Sequence, residues 1–214
     1  MDYKTIHPKL PDSKKNFLNE AHSMKQFCLL LLLAFTLYSC NNTQNPQVEI
    51  KTSLGNIELE IFEDKAPITA GHFLNNVDNR VFKEACFYRV VRMDNQANND
   101  VKIEVIQGGL LLDSIVEQMP VIAHETTKET GIRHTDGAIS MARLEPGSAS
   151  TEFFICVGDQ ADLDYEGKRN PDGQGFAAFG KVIKGMDIVK LIQEQKDKGQ
   201  MLITPVKILS VSRK

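Results

Sequence analysis

The sequence predicts a mainly β protein with α, built as a closed antiparallel β-barrel capped by two α-helices. Short runs rich in Val, Ile and Phe recur along its 214 residues between turn-forming residues. Two other stretches place apolar residues at helical spacing, and strands do not alternate with helices as they do in βαβ units. At 42% hydrophobic and 25% charged residues, the chain supports one sizeable core.

The first strands are expected at 48–51 and 56–62, joined through Ser53-Leu54-Gly55. In the second, Ile57, Leu59 and Ile61 alternate with Glu58 and Glu60, so one face enters a core. A helix follows from Pro67, a residue tolerated in a first turn. Its stripe is Ala70, Phe73, Leu74 and Val77. Further strands are expected at 87–91, 105–107, 138–141, 153–157, 177–182 and 207–211. A second helix over 186–196 carries Met186, Val189 and Ile192 on one face, with Gly199 beyond its end.

The N-terminus reads differently. Residues 1–23 hold Pro8, Pro11 and scattered charges without periodicity, as in a non-native extension with translation starting at Met24. Residues 24–39 read as a signal peptide, because the apolar run at 27–38 falls short of the roughly 20 residues a spanning helix needs. The run ends in Leu37-Tyr38-Ser39-Cys40, which looks like a bacterial lipobox and makes Cys40 the lipidation site. The alternative is a plain signal peptide with Cys40 incidental. Residues 40–47 then form a lipid-anchored polar tether, and 48–214 a single domain. Of the four cysteines, Cys86 and Cys156 lie in apolar runs and are expected as free buried thiols.

The net charge of -3 hides five Lys against three Asp/Glu in residues 1–39, a balance of +2 that leaves the remainder at -5. An acidic body without a basic cluster excludes nucleic acid as the expected partner. No histidine pair has metal spacing, and neither a G-x-S-x-G elbow nor a glycine-rich phosphate loop is present. His72, His124 and His134 are expected to face solvent. The stretch starting at Asp162 imitates a calcium loop, but its twelfth position is Gly173 where a Glu is required.

Three segments carry a more specific signal: Phe87-Tyr88-Arg89, Gln107-Gly108-Gly109, and residues 137–156 reading GAISMARLEPGSASTEFFIC. Together they resemble the active face of the cyclophilins, peptidyl-prolyl cis-trans isomerases whose barrel has eight strands closed by two helices. The resemblance runs from about residue 48 to the C-terminus. It implies an activity that needs no metal, nucleophile or cofactor. By the resemblance, Arg89 presents its guanidinium to the prolyl amide, and Gln107 binds substrate and steadies Arg89. Phe154 is the floor of the proline pocket, which turns its strand neighbour Phe153 into the core because adjacent strand residues face opposite sides; Leu163 is a wall, and the backbone of Ala142 runs beside the bound peptide.

Several positions depart from the family pattern. Glu104 and Val105 replace an aromatic and a thioether wall, Asp162 replaces tryptophan, Phe176 the pocket histidine and Leu110 an acid. Arg143 stands where many members have asparagine, although bacterial members often carry Met-Ala-Arg. Glu152 replaces a glutamine, and a carboxylate near Arg89 would either orient the guanidinium or pin it in an ion pair. The second reading expects partial inhibition, relieved severalfold by Glu152→Gln. Residues 92–104 are longer than the family's connection and would rise beside the pocket, and residues 165–175 form a second polar insert after Leu163; the two readings are a harmless surface insertion and a rebuilt pocket rim that selects particular clients.

The expected partners are Pro-containing unfolded or flexible polypeptides, reached by a monomer tethered to a membrane in the bacterial cell envelope. A competing reading is a non-catalytic cyclophilin-like chaperone or scaffold, favoured by Glu104, Val105, Glu152 and Phe176. A third is a barrel serving only as a subunit of an envelope assembly.

Overall fold

The computed structural model describes residues 44–214. The expected N-terminal extension (1–23) and signal peptide (24–39), Cys28, the expected lipidation site Cys40 and the first part of the expected tether lie outside the described residues.

Among the described residues nine strands form one sheet: β1 (Gln47–Thr52), β2 (Gly55–Ile61), β3 (Cys86–Val91), β4 (Val105–Gly109), β5 (Ala138–Met141), β6 (Phe153–Cys156), β7 (Ala177–Lys184), β8 (Asp197–Lys198) and β9 (Met201–Arg213). The order β1-β2-β7-β5-β6-β4-β3-β9 closes on itself through β1–β9 pairing, and β8 is a short appendage on β9. The result is a closed eight-stranded barrel in which every ladder is antiparallel. Closure removes the unpaired edges that would otherwise template association.

Helix α1 (Pro67–Asp78) buries Ala70, Phe73, Leu74 and Val77, the stripe read from the sequence. Ala66 gives it no side-chain cap. Glu125, far along the chain, serves instead: its carboxylate accepts from the backbone N–H groups of Ile68 (3.2 Å) and Thr69 (2.6 Å) and from the Thr69 hydroxyl. An anion there satisfies otherwise unpaired donors at the positive end of the helix dipole. Inside the barrel, Phe73 meets Phe82, Phe153 and Phe179 at ring-centroid distances of 5.4, 5.9 and 5.0 Å.

Four helices occur among the described residues, two more than expected. The additions are single turns, α2 (Asp113–Val116) and α3 (Thr127–Thr130), too short to show periodicity; α4 is Met186–Gln193. In α3 a capping box does the work, Thr126 accepting from the Glu129 N–H while the Glu129 side chain accepts from the Thr126 N–H. Thr126→Ala is expected to lower unfolding free energy by about 1 kcal/mol in urea titration.

Helix α4 ends three residues earlier than expected, and β9 begins at Met201, six residues before the strand read from sequence. Pro205 masks the strand because it cannot donate to a ladder. It is tolerated where β9 bulges, between Met201 opposite Arg89 and Val206 opposite Phe87. His134 does not face solvent. It is 1% exposed, with Nδ1 2.8 Å from Asp164 Oδ1 and Nε2 2.9 Å from Ser140 Oγ, so both ring nitrogens are satisfied. His72 and His124 are half-buried. Cys86 and Cys156 are free and buried, as expected.

Candidate active site

Strand register builds a row across the outer face of the barrel. Arg89 on β3 pairs with Gln107 on β4, and Gln107 pairs with Phe154 on β6. Directly opposed residues project from the same face, so the ladder places these three side chains next to one another. Phe153 points the other way, into the core.

A β-bulge makes a fourth side chain available. Phe87 opposes Gly108 and Arg89 opposes Gln107, which leaves Tyr88 without a partner on β4. The extra residue breaks the strict alternation, so that Tyr88 and Arg89 both reach Gln107.

A second apolar cluster sits against this outer face, formed by Val91, Ile103, Val105, Ala138, Phe154, Cys156 and Leu163, with Ala142 and Phe176 packed on it. A cavity of about 200 Å3 opens over it, and Arg89, Gln107, Ala142, Arg143, Phe154, Leu163 and Phe176 all line it together with Val105. Phe154 is itself buried, 5% exposed. It stands edge-on to Phe176 at 5.2 Å and stacks on His134 at 5.9 Å. Phe176 therefore keeps an aromatic wall where the family has an imidazole.

Polar groups are held in a defined chain. Arg89 Nη1 donates to Gln107 Oε1 (2.8 Å), while Nε and Nη2 donate to Gln200 Oε1 (3.1 and 2.6 Å). Gln107 Nε2 donates to the Tyr88 hydroxyl (2.8 Å), and that hydroxyl donates to Glu152 Oε2. Glu152 Oε1 accepts from the Leu110 N–H at 2.7 Å. Three of the five guanidinium N–H groups of Arg89 are thus engaged, and one on each terminal nitrogen remains. Burial pulls the Arg89 pKa below the ordinary guanidinium value, with Tyr88 opposing the shift.

Two residues differ from their sequence-based roles. Glu152 does not line the cavity and forms no ion pair with Arg89. It contacts Tyr88 instead, because the bulge places the tyrosine between them. Arg143 lines the cavity, but all its donors are committed: Nη1 and Nη2 to Asp172 (2.8 and 3.0 Å), Nε and Nη2 to the Gly175 carbonyl, and Nη1 to the Leu144 carbonyl. Its guanidinium also lies over Phe176, 5.3 Å from the ring centre. Arg143 pins the 165–175 segment and supports the pocket wall.

Gln200 was not found from the sequence. It follows Gly199 in the tight turn between β8 and β9, and both have positive φ, 59° and 75°. A non-glycine residue pays a strain cost there, and asparagine or glycine is the usual occupant. A glutamine at such a turn was the available signal. Gly109 is equally constrained: its φ is 152°, and a Cβ there would overlap the Glu152 carboxylate. Among the described residues no cluster of three or more His, Cys, Asp or Glu could hold a metal.

Comparison with known proteins gives a consistent picture. A family model described as cyclophilin type peptidyl-prolyl cis-trans isomerase/CLD matches residues 47–213. A peptidyl-prolyl cis-trans isomerase of Acinetobacter baylyi is 36% identical over 163 residues, covering 76% of this chain and 79% of that protein. Peptidyl-prolyl cis-trans isomerase B of Escherichia coli is 30% identical over 147 residues, covering 68% and 83%. A crystal structure of a Cryptosporidium parvum cyclophilin type isomerase superposes with a TM-score of 0.62 at 19% identity, covering 79% of this chain and 97% of that one. That last likeness concerns the fold alone.

Proposed function

The chain belongs to the cyclophilin-type peptidyl-prolyl cis-trans isomerases, and from that membership we propose that Arg89 is its catalytic donor and that its substrates are exported proteins still folding. The observation that carries the assignment of roles is the row of Arg89, Gln107 and Phe154 on three adjacent strands.

Isomerisation of an X-Pro bond is slow because the amide must lose resonance, with a barrier of about 18–20 kcal/mol. Catalysis means binding the twisted amide better than either planar form. The prolyl nitrogen becomes a hydrogen-bond acceptor only when resonance is lost. A free Arg89 N–H beside it favours the twisted state selectively, and a charged donor is the strong kind. Phe154, Leu163, Val105 and Phe176 grip the ring, while Gln107 and the Ala142 backbone hold the flanking carbonyls. A differential of about 5 kcal/mol would accelerate exchange several thousandfold. No cofactor is needed for this.

NMR exchange spectroscopy on a blocked Ala-Ala-Pro-Ala peptide tests the assignment, with acceleration in the presence of catalytic amounts of the full chain as the expected result. Peptide binding without acceleration would favour the chaperone reading.

The cellular setting rests on the N-terminal sequence. The apolar run at 27–38 followed by Leu37-Tyr38-Ser39-Cys40 supports export and acylation of Cys40, with residues 40–47 tethering a monomeric barrel to the membrane. Two or more acyl chains give stable anchoring where one is marginal. Cells fed labelled palmitate should label the wild type and leave Cys40→Ser unlabelled and released from the membrane fraction. Equal labelling would remove Cys40 from its role.

A further inference from the structure

The two long connections beside the pocket are joined to each other by one side chain. Arg169, from the 165–175 segment, donates through Nη1 to Gln96 Oε1 (3.2 Å) and to the Val101 carbonyl (2.6 Å), both in the 92–104 segment. Gln96 itself is 1% exposed and closes its own loop, donating to the Arg92 and Ile103 carbonyls and accepting from the Ile103 N–H. The rim is therefore a built surface, with Arg169 held in it by one terminal nitrogen. Its Nε and Nη2 donate to no group among the described residues, and the side chain lines the same cavity as Arg89.

Charge around this cavity is unbalanced. Arg143 is neutralised by Asp172. Arg89 is held by two neutral glutamine side chains, and neither Arg89 nor Arg169 has a carboxylate within ion-pair distance among the described residues. Two uncompensated guanidinium groups thus wall one small, partly apolar cavity. Burial first, and then the neighbouring Arg89 charge, pull the Arg169 pKa below its ordinary value. A carboxylate entering the cavity would relieve this repulsion and meet donors already oriented.

We propose that Arg169 selects substrates in which a residue flanking the isomerising proline carries a carboxylate. The proposal rests on the isomerase reading of the site and deepens it: Arg89 acts on the prolyl nitrogen, while Arg169, supplied by an insert, reads the neighbouring side chain. An acidic flank is accepted and a basic one is disfavoured.

The test uses the full chain and peptides blocked at both ends, with Glu, Gln or Lys placed either before or after a single proline. In the wild type, Glu should exceed its Gln counterpart by about fivefold in kcat/KM in at least one of the two positions, the upper range for a partly exposed charge pair. Lys should fall below Gln. Added salt should compress these ratios, since exposed charges are screened. Arg169→Gln should bring the Glu-to-Gln ratio close to one, whatever its absolute rates. Arg169→Lys, which retains the charge, should preserve the preference even if the loops loosen. Equal ratios in the wild type, or a preference that survives in Arg169→Gln, would overturn the selection and leave the isomerase assignment standing. Failure to accelerate any of the peptides would overturn both.

Discussion

Arg89→Ala is expected to reduce kcat/KM on an uncharged Xaa-Pro peptide by about 10²–10³-fold, the loss typical when one preorganised donor is removed from a transition state. Arg89 lines the cavity but is not part of the apolar cluster of Phe154, Leu163, Val105 and Phe176, the surface proposed to grip the ring. Peptide binding, followed by chemical-shift titration, should therefore weaken much less than turnover, the signature of an interaction made chiefly in the transition state. Arg89→Lys should recover little. One ammonium cannot hold Gln107 and Gln200 from two sides and still present a free N–H between them. A variant that bound peptide normally and turned it over at the wild-type rate would remove Arg89 from the chemistry.

The members of the row are legible in the sequence through the cyclophilin resemblance of residues 87–89, 107–109 and 137–156, and alternation then assigns the faces of their neighbours. With Phe154 on the pocket side by that resemblance, alternation turns Phe153 into the core, and the strands holding Arg89 and Gln107 are read from their apolar runs. What alternation could not reveal is where it fails. The bulge at Tyr88 is a property of two strands in register, invisible in either alone, and a strand without it brings Glu152 toward Arg89. Gln200 was missed for a similar reason: it reaches Arg89 from a turn more than a hundred residues along the chain, brought there by closure of the barrel. His134 was misread because its partners, Asp164 and Ser140, come from two other elements. Local pattern locates faces of elements, whereas the polar contacts that orient a catalytic group are made between elements.

The bulge also reverses the expected effect of Glu152→Gln. A tyrosine hydroxyl has one hydrogen to donate. In the observed arrangement Tyr88 gives it to Glu152 and accepts from Gln107 Nε2, which turns the Gln107 carbonyl toward Arg89. A glutamine at 152 must still accept from the Leu110 N–H, so its amide nitrogen faces Tyr88. Tyr88 then donates to Gln107 instead, the Gln107 amide turns over, and its NH2 group confronts the guanidinium. Keeping the original direction would leave the Leu110 N–H facing a donor. Either way one buried hydrogen bond is lost, worth about 1–3 kcal/mol. The turned-over chain is the one that breaks the Gln107–Arg89 bond, and with it kcat/KM should fall about tenfold where the sequence alone suggested a rise. A Tyr88→Phe background should abolish most of that difference, because the two residues act as one unit. The pH profile supplies an independent check. Burial holds the Glu152 carboxyl above the usual carboxylate range, against the opposing bonds from Tyr88 and Leu110. Protonation makes it a donor and turns the chain over just as glutamine does, so wild-type activity should fall as pH drops through that raised value and Glu152→Gln should be flat there. Stability must move in the opposite direction. With the folded pKa above the unfolded one, the contribution of Glu152 to stability is fully present below the unfolded pKa and is lost as pH rises through the folded value. Relative to Glu152→Gln, the wild type should therefore gain stability as pH falls through the same window in which it loses activity. A parallel fall in both would assign the acid limb to unfolding, and a Glu152→Gln enzyme faster than wild type would return the carboxylate to its role as an inhibitor.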